Sequence, residues 1–197
     1  MNKLKQKCMH LQNDKDIIRK EFLKKRILFK KKFTFKNKLK LILNLNDLLK
    51  NINYESIAGY YPIGSEIDCL TILEKEAIKN KLTALPYVKK DNKIEFRKWK
   101  NPDTLIGGLN NIPVPKNKII LYPDIILTPL LSFDMTGVRL GFGSGIYDRS
   151  FPNFPVSKKI GLAFSGQLNK RKLPNGPFDY KLDAVITEKD IFVFKWG

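Results

Sequence analysis

Hydrophobic and polar positions follow two different periods along this chain. Residues 14–33 and 35–50 are rich in Leu, Ile, Phe, Lys and Glu and are predicted to be helices, as is the shorter segment 70–80. Short apolar or alternating runs predict strands at 57–61, 81–86, 93–99, 124–128, 159–164, 183–187 and 191–194. Helices and strands in this order predict an α/β fold, with a central, largely parallel sheet in a three-layer α/β/α arrangement.

The predicted elements run along the chain without a linker or an internal repeat. A length of 197 residues suits one domain or at most two small ones. We predict that residues 1–13 form a flexible leader and that residues 14–197 form a single domain. Residues 100–118 contain three prolines and two glycines and are predicted to be mostly loop.

The first predicted helix has an unusual inner side. At 100° per residue, one narrow side carries Lys15, Arg19, Phe22, Arg26, Phe29 and Phe33. Lys15 and Arg19 are four residues apart, so their charges point to one place. Cations in such positions can instead extend past the rings to solvent, which is the interpretation we prefer for Arg26. A basic amphipathic helix on a lipid surface is a third and minor interpretation.

Composition narrows the class of protein. Hydrophobic residues make up 43% of the chain, which is enough for a core. No apolar run reaches the 18 or more residues that a membrane span requires, and we expect no cleaved secretory signal. The two cysteines, Cys8 and Cys69, favour a reducing cytoplasm. The single histidine, His10, argues against a catalytic triad or other histidine-based acid–base chemistry.

The chain is strongly basic, with 37 Lys and Arg against 19 Asp and Glu and a net charge of +18. Such a charge attracts polyanions, and a nucleic-acid-associated protein is the first alternative. However, the lysines are dispersed, and no zinc-ligand cluster or helix-turn-helix pattern accompanies them. Anionic small molecules suit this surface equally well.

The strongest chemical signal is the run Arg139-Leu-Gly-Phe-Gly-Ser-Gly-Ile-Tyr-Asp148-Arg149, which leads into a short helix predicted at 145–152. Its three alternating glycines let the backbone curl and present several N–H groups to one anion, and the start of a helix adds a positive dipole end. Arg139 adds a fixed charge, and Asp148 adds an oxygen suited to Mg²⁺. The run matches neither a Walker A nor a Rossmann pattern. It predicts a phosphate site with a metal.

Two other acidic residues are predicted to have structural roles. Asp68 precedes the helix predicted to start near Leu70 and is expected to cap it. Asp134 is expected to shape the turn into Gly137.

The segment Phe133-Asp134-x-x-Gly137-x-Arg139-Leu-Gly141-x-Gly143-x-Gly145-x-Tyr147-Asp148-Arg149 resembles the signature of the 5-formyltetrahydrofolate cyclo-ligase family, also called methenyltetrahydrofolate synthetases. Companion motifs occur in the family's order: Lys15-x-x-x-Arg19, Tyr60-Tyr-Pro-x-x-x-Glu66-Ile-Asp68, Ile160-Gly-Leu-Ala-Phe-x-x-Gln167 and Pro174-x-x-x-x-Asp179-x-x-x-Asp183-x-Val-Ile-Thr187. The resemblance covers about residues 15–190. Ile146 departs from a common Tyr, and Ser144 from a common Gly or Lys.

The resemblance implies an ATP-dependent ligase that cyclises 5-formyltetrahydrofolate to 5,10-methenyltetrahydrofolate and yields ADP and phosphate. It implies that Lys15, Arg19 and Arg139 bind ATP phosphates, and we expect Lys15 and Arg139 to be catalytic. The remaining predicted ATP contacts are the loop residues Leu140, Gly141, Phe142, Gly143, Ser144, Gly145, Ile146 and Tyr147.

The resemblance also implies a metal site and a folate site. Asp148 and Asp179 are the predicted Mg²⁺ ligands, with Asp183 as the alternative. Glu66 is predicted to hydrogen-bond the pterin ring, because a carboxylate accepts two N–H bonds from an aminopyrimidine-type edge. Tyr61 is predicted either to line the folate pocket or to lie in the core. Trp99 has the same two interpretations, and for it we prefer the core.

We expect the partners to be small molecules, namely ATP and 5-formyltetrahydrofolate with or without a polyglutamate tail. We expect no specific nucleic acid, no membrane, and a monomer in the cytoplasm. A sugar-phosphate isomerase or a CoA-transferase-like enzyme on a related layered fold, acting without ATP, is a further alternative.

Overall fold

The computed structural model describes residues 3–196, and for residues 3–8 the backbone alone. Within this range the α-helices are α1 (Lys3–Lys32), α2 (Phe35–Leu49), α3 (Leu70–Ile78) and α4 (Ile146–Ser150). The strands are β1 (Ser56–Ala58), β2 (Leu82–Val88), β3 (Ile94–Lys98), β4 (Leu105–Gly107), β5 (Pro113–Pro115), β6 (Ile125–Pro129), β7 (Ser132–Phe133), β8 (Arg139–Leu140), β9 (Lys158–Leu162), β10 (Ala184–Ile186) and β11 (Ile191–Val193). Single 3-10 turns occur at Leu109–Asn111, Phe151–Asn153 and Ser165–Gln167.

Seven strands form the main sheet, in the order β11-β10-β9-β6-β1-β2-β3. The five inner strands are parallel to one another, whereas β3 and β11 are antiparallel to their neighbours at the two edges. This confirms the predicted α/β fold with a largely parallel sheet. Two antiparallel ribbons, β4–β5 and β7–β8, lie outside it.

The sheet is covered by helices on both faces, because successive side chains of a strand point to opposite sides. Ile57 of β1 and Leu85 of β2 pack in one buried cluster with α2 and α3. Their neighbours Ala58 and Ala84 pack in another, with Phe151 and residues of α4. The result is the three-layer arrangement expected from the sequence.

Two segments differ from the sequence prediction. Helix α1 begins at Lys3, well before residue 14, so residues 3–13 continue the helix; residues 1 and 2 lie outside the described range. The predicted loop 100–118 contains the β4–β5 hairpin. Its prolines and glycines obscured the hairpin because such residues usually mark loops. That residues 1–13 are a flexible leader and that residues 14–197 form a single domain stay predictions.

Helix α1 lies across the carboxyl ends of the parallel strands. The Phe29 ring packs against Phe164, which follows β9, with ring centroids 6.4 Å apart. A Cβ at Gly166 would lie 2.2 Å from that Phe29 ring, so only glycine permits this approach. Open α/β sheets bind ligands at this edge. In the described part of the chain, no helix combines the length and apolarity needed to cross a membrane.

Candidate active site

The glycine loop, residues 141–145, connects β8 to α4 and adopts backbone angles that glycine tolerates best. Gly143 has φ +105° and Gly145 has φ +63°. Arg19 of α1 lies against this loop: its Nε donates to the Gly141 carbonyl at 3.0 Å. A Cβ at Gly143 would lie 3.3 Å from the Arg19 guanidinium carbon. The structure therefore brings Arg19 and the glycine loop together.

Lys15, one turn before Arg19, is buried and contacts the Asp179 carboxylate. The same oxygen, Asp179 Oδ2, accepts a hydrogen bond from the Gly176 N–H at 2.5 Å. Asp16 pairs with Arg19 at 2.6 Å. Helix α1 thus connects the loop around Asp179 to the glycine loop.

Arg139 of β8 is a second buried cation of the site. Its Nη1 donates to the Tyr180 carbonyl at 2.6 Å, and its Nη2 lies 3.1 Å from Asp148 Oδ1. The Tyr180 N–H also donates to Asp148 Oδ1, at 2.9 Å. Burial lowers the pKa of Arg139, and the Asp148 carboxylate opposes that change. Asp148 and the residue that follows Asp179 therefore meet at one guanidinium.

The two predicted metal ligands are too few to hold Mg²⁺ by themselves. Among the described residues, no group of three or more His, Cys, Asp or Glu side chains could hold a metal. Asp148 and Asp179 would therefore hold an ion together with substrate oxygens, as is usual for Mg²⁺ in phosphoryl-transfer sites. Their hydrogen bonds described above use one oxygen of each carboxylate. The alternative ligand Asp183 accepts the Lys159 N–H at 2.7 Å, a contact that joins β10 to β9.

Glu66 lies in the loop after β1 and is only 4% exposed. Its Oε2 accepts the Ile63 N–H at 2.8 Å, and Lys30 donates to its backbone carbonyl at 2.8 Å. Its Oε1 lies 3.7 Å from Nη1 of Arg26, which is too far for a hydrogen bond. Burial raises the pKa of Glu66, and the Ile63 N–H, Arg26 and Lys30 oppose this increase.

Three tyrosines lie in the loop after β1 and at the start of α4. Burial raises the pKa of Tyr147 in α4, and the charge of Glu66 raises it further. Tyr60 is buried, and its hydroxyl donates to the Ile67 carbonyl at 2.9 Å. Tyr61 is half-buried. The loop after β1 and the start of α4 therefore form one region.

Trp99 does not join this group. It is 4% exposed within the cluster that contains α2 and α3, and its indole N–H donates to the Asp103 carbonyl at 3.2 Å. Its backbone N–H pairs with Thr83 near the start of β2, at the amino edge of the parallel strands. This is the core position that we preferred. Ile146 likewise packs against a core cluster rather than standing free in the loop.

The expectation for Arg26 was wrong. The helical projection indicated a side chain that extends to solvent, but Arg26 is only 2% exposed. Its Nε donates to Ser65 Oγ at 2.9 Å, and its Nη1 donates to the Leu130 carbonyl at 3.1 Å. Such partners from distant loops leave no local sequence signal.

The structural prediction for Asp134 is confirmed, and Asp68 binds the first N–H of α3 although the N-cap residue is Cys69. Asp68 Oδ1 accepts the Leu70 N–H at 3.0 Å at the start of α3. Asp134 Oδ1 accepts the N–H groups of Thr136 and Val138, at 2.8 and 3.3 Å, on either side of Gly137.

A cavity of about 510 Å³ opens between α1 and the 63–65 loop, next to Glu66. Its walls combine apolar and cationic side chains, among them Ile27, Ile63, Phe142, Arg26, Lys30 and Lys31. Such a cavity suits an anion that also carries an aromatic body.

Comparison with known proteins gives one consistent result. The model of the 5-formyltetrahydrofolate cyclo-ligase family matches residues 11–188. The 5-formyltetrahydrofolate cyclo-ligase of Mycoplasma pneumoniae is 31% identical over 181 residues, 89% of this chain and 99% of that one. The enzyme of the same name from Mycolicibacterium smegmatis is 27% identical over 148 residues, 70% of this chain and 76% of that one.

Solved structures agree with the sequence relatives. The 5,10-methenyltetrahydrofolate synthetase of Aquifex aeolicus superposes with a TM-score of 0.78 at 33% identity, over 93% of this chain and 94% of that one. The Mycoplasma pneumoniae synthetase gives a TM-score of 0.65 at 28% identity, over 89% and 99% of the two chains. With its signature loop, its sheet and its length all matched, this chain belongs to the 5-formyltetrahydrofolate cyclo-ligase family.

Proposed function

We propose that the carboxyl edge of the sheet is the active site of an ATP-dependent ligase that converts 5-formyltetrahydrofolate to 5,10-methenyltetrahydrofolate, with release of ADP and phosphate. The observation that carries this proposal is that two chemically different surfaces, here called walls, lie next to each other at this edge. One wall holds cations, glycine N–H groups and two carboxylates, and the other holds the buried carboxylate of Glu66. ATP belongs to the first wall and the folate to the second.

The ATP wall provides charge neutralisation and positioning, which phosphoryl transfer chiefly needs. Lys15, Arg19 and Arg139 lie around the glycine loop and the 174–180 loop, and their positive charges would neutralise phosphate oxygens. Backbone N–H groups of the glycine loop would bind further oxygens. Removing one such stabiliser typically costs about a hundredfold or more in rate.

Magnesium is a proposed component of this wall. Asp148 and Asp179 would hold it, since each offers a hard oxygen ligand at the place where the phosphates are expected. When bound, Mg²⁺ adds positive charge to the transferring phosphoryl group. Asp179 contacts Lys15, and Asp148 pairs with Arg139.

The folate wall recognises the pterin through Glu66. Because Oε1 of Glu66 makes no hydrogen bond to Arg26, it can accept one from the pterin N–H edge. Half-buried Tyr61, which lies between β1 and Glu66, would contribute to the pocket wall.

The proposed reaction proceeds in two steps. The formyl oxygen attacks the γ-phosphorus of ATP, forms an O–P bond and expels ADP. N10 of the folate then attacks the activated formyl carbon and loses its proton to solvent, and the C–O bond breaks to release phosphate. These reaction steps need no histidine, because phosphate is a good leaving group once the charges on its oxygens are neutralised.

The cavity beside Glu66 would accept the benzoyl-glutamate part of the folate. Ile27, Ile63 and Phe142 offer an apolar surface, and Lys30 and Lys31 offer positive charge to carboxylates. A polyglutamate tail would add negative charges on this side. The monomeric state and the cytoplasmic location remain predictions.

A coupled assay tests the function. The protein is mixed with 5-formyltetrahydrofolate and Mg·ATP, and the methenyl-folate absorbance and the ADP released are followed together. We expect both products in equal amounts and neither product without ATP. Folded protein that yields no methenyl-folate, beside an active relative measured in parallel, would refute the proposed function.

A further inference from the structure

Arg26 binds two loops that the proposed reaction must bring together. Its guanidinium donates to Ser65 and lies 3.7 Å from the Glu66 carboxylate, both in the loop after β1. It also donates to the Leu130 carbonyl just before β7 and lies 4.9 Å from the ring centroid of Phe142 in the glycine loop. One side chain therefore contacts the folate loop and the start and end of the β7–β8 ribbon.

The Leu130 end of this ribbon is held from a second direction. Gln167 Nε2 donates to the carbonyls of Leu130 and Leu131, at 2.8 and 3.0 Å, and the Leu131 N–H pairs with the Leu140 carbonyl at 2.7 Å. Phe142 follows two residues after Leu140 and is 53% exposed. Arg26 covers one part of the Phe142 ring, so the rest of that ring is presented to the cavity.

We propose that Arg26 is a positioning residue that orients the Glu66 carboxylate toward the folate and holds Phe142 of the glycine loop beside the same ligand. This inference rests on the proposed folate site. Arg26 acts through these two residues because its Nε and Nη1 are engaged by Ser65 and Leu130 and because only 2% of the residue is exposed.

The planar fork of arginine suits this position better than lysine would. It reaches Ser65 and Leu130 with different nitrogens while its face lies over an aromatic ring, and a lysine ammonium cannot match both arrangements. The 3.7 Å separation also matters, since Arg26 supplies charge to Glu66 without using the oxygen that the pterin needs.

Several groups around Glu66 affect the pKa of its carboxyl group. From α1 these are Arg26 and Lys30; from the neighbouring elements they are Tyr60, Cys69 and Tyr147. The two cations favour the ionised carboxylate, and the three neutral groups add no positive charge. Loss of the Arg26 charge therefore leaves Lys30 as the one cation, among the described residues, that opposes the effect of burial on Glu66.

The test compares Arg26→Met and Arg26→Lys with Lys25→Met, an exposed neighbour that pairs with Glu21. For Arg26→Met we expect the apparent KM for 5-formyltetrahydrofolate to rise about tenfold or more and that for ATP to change less than about threefold. Arg26→Lys, which retains the charge, should fold even where the methionine variant does not and should show a smaller rise. Lys25→Met should resemble the wild type.

A double-mutant cycle separates positioning from packing. In the Glu66→Gln background, Arg26→Lys should have a smaller effect on folate affinity than in the wild type, because only the contribution through Phe142 remains. If Glu66→Gln itself leaves folate affinity unchanged, the proposed folate site is wrong. If Glu66→Gln weakens folate binding but the Arg26 effect is fully additive, the folate site stands and the role of Arg26 is wrong.

The pH dependence provides a readout that a purely structural role would not move. Without the Arg26 charge, the pKa of Glu66 rises further. As the pH is lowered, Arg26→Met should therefore begin to lose folate affinity at a pH about one unit or more above the pH at which the wild type does. In Arg26→Lys the acid limb of the pH profile of folate affinity should stay near its wild-type position. An unchanged acid limb in folded Arg26→Met, with both KM values raised equally, would overturn the inference.

Discussion

The Lys15 ammonium and the Asp179 carboxylate are in direct contact although 164 positions separate them along the chain. Lys15 lies on α1 and Asp179 lies in the loop before β10, so the contact joins this helix to that loop at one end of the site. In the proposed reaction the two residues acquire different partners, a phosphate for Lys15 and Mg²⁺ for Asp179. Their contact supports the proposal that these two partners bind next to each other.

The first prediction concerns the carboxylates. Asp148→Asn and Asp179→Asn should each lower turnover about a hundredfold or more, because the neutral amide is a poor Mg²⁺ ligand. Asp47→Asn, an exposed carboxylate on α2 paired with Lys50, is the matched control and should be near normal. Turnover is measured across a Mg²⁺ titration. Wild-type rates at low Mg²⁺ in both variants would show that these residues are not ligands.

The second prediction concerns α1. Lys15→Ala and Arg19→Ala should raise the KM for ATP far more than the KM for the folate, since both side chains lie at the phosphate wall. Lys20→Ala, exposed on the same helix, serves as the control. Steady-state kinetics with each substrate varied in turn give the answer. Equal effects on both substrates, with a lower melting temperature as the main result, would favour a packing role.

The third prediction uses two glycines of one loop. Gly143 has φ +105°, and a Cβ there would press on Arg19 at 3.3 Å, whereas a Cβ at Gly141 meets nothing within 4 Å. Gly143→Ala should therefore strain the loop by about 1–2 kcal/mol and weaken ATP binding, and Gly141→Ala should not. Calorimetric titration with a non-hydrolysable ATP analogue compares them. Equal ATP affinity in the two variants would contradict the phosphate role of this loop.

The fourth prediction concerns Ile146, where the family commonly has Tyr. Its side chain packs against the cluster that contains Phe96 and Phe151. Ile146→Tyr should overpack this cluster and destabilise the protein by about 1–3 kcal/mol. Thermal melting and folate calorimetry are measured on the same sample. Tighter folate binding with an unchanged melting temperature would instead mean that a ring at this position points to the ligand.

Sequence periodicity predicted the order of the main elements, because strands such as β6 and β9 are continuous apolar runs between turn residues. It missed β4–β5 and β7–β8, whose strands are two or three residues long and contain Pro or follow a turn. The strands β1, β10 and β11 are equally short but lie in longer apolar runs, whereas β4, β5 and β8 lie among turn residues. The start of α1 was also missed, because its first turn contains no acidic residue to mark it.

The site was predicted in part for the same physical reasons. Residues within one motif, such as Arg139 and Asp148, lie close in sequence and remain close in space. Arg26 was misinterpreted because its partners Ser65, Leu130 and Phe142 come from three separate loops. A helical projection shows which side of a helix is inside, but it does not show which distant loop meets it.

The most direct test of the central claim follows the formyl oxygen. 5-Formyltetrahydrofolate labelled with ¹⁸O in the formyl group is converted with unlabelled Mg·ATP, and the phosphate is analysed by mass spectrometry. Transfer of the γ-phosphoryl group to that oxygen, followed by attack of N10, predicts one ¹⁸O atom in the phosphate for each methenyl-folate formed. Methenyl-folate produced with unlabelled phosphate, or without ADP, would contradict an ATP-dependent cyclisation through the formyl oxygen.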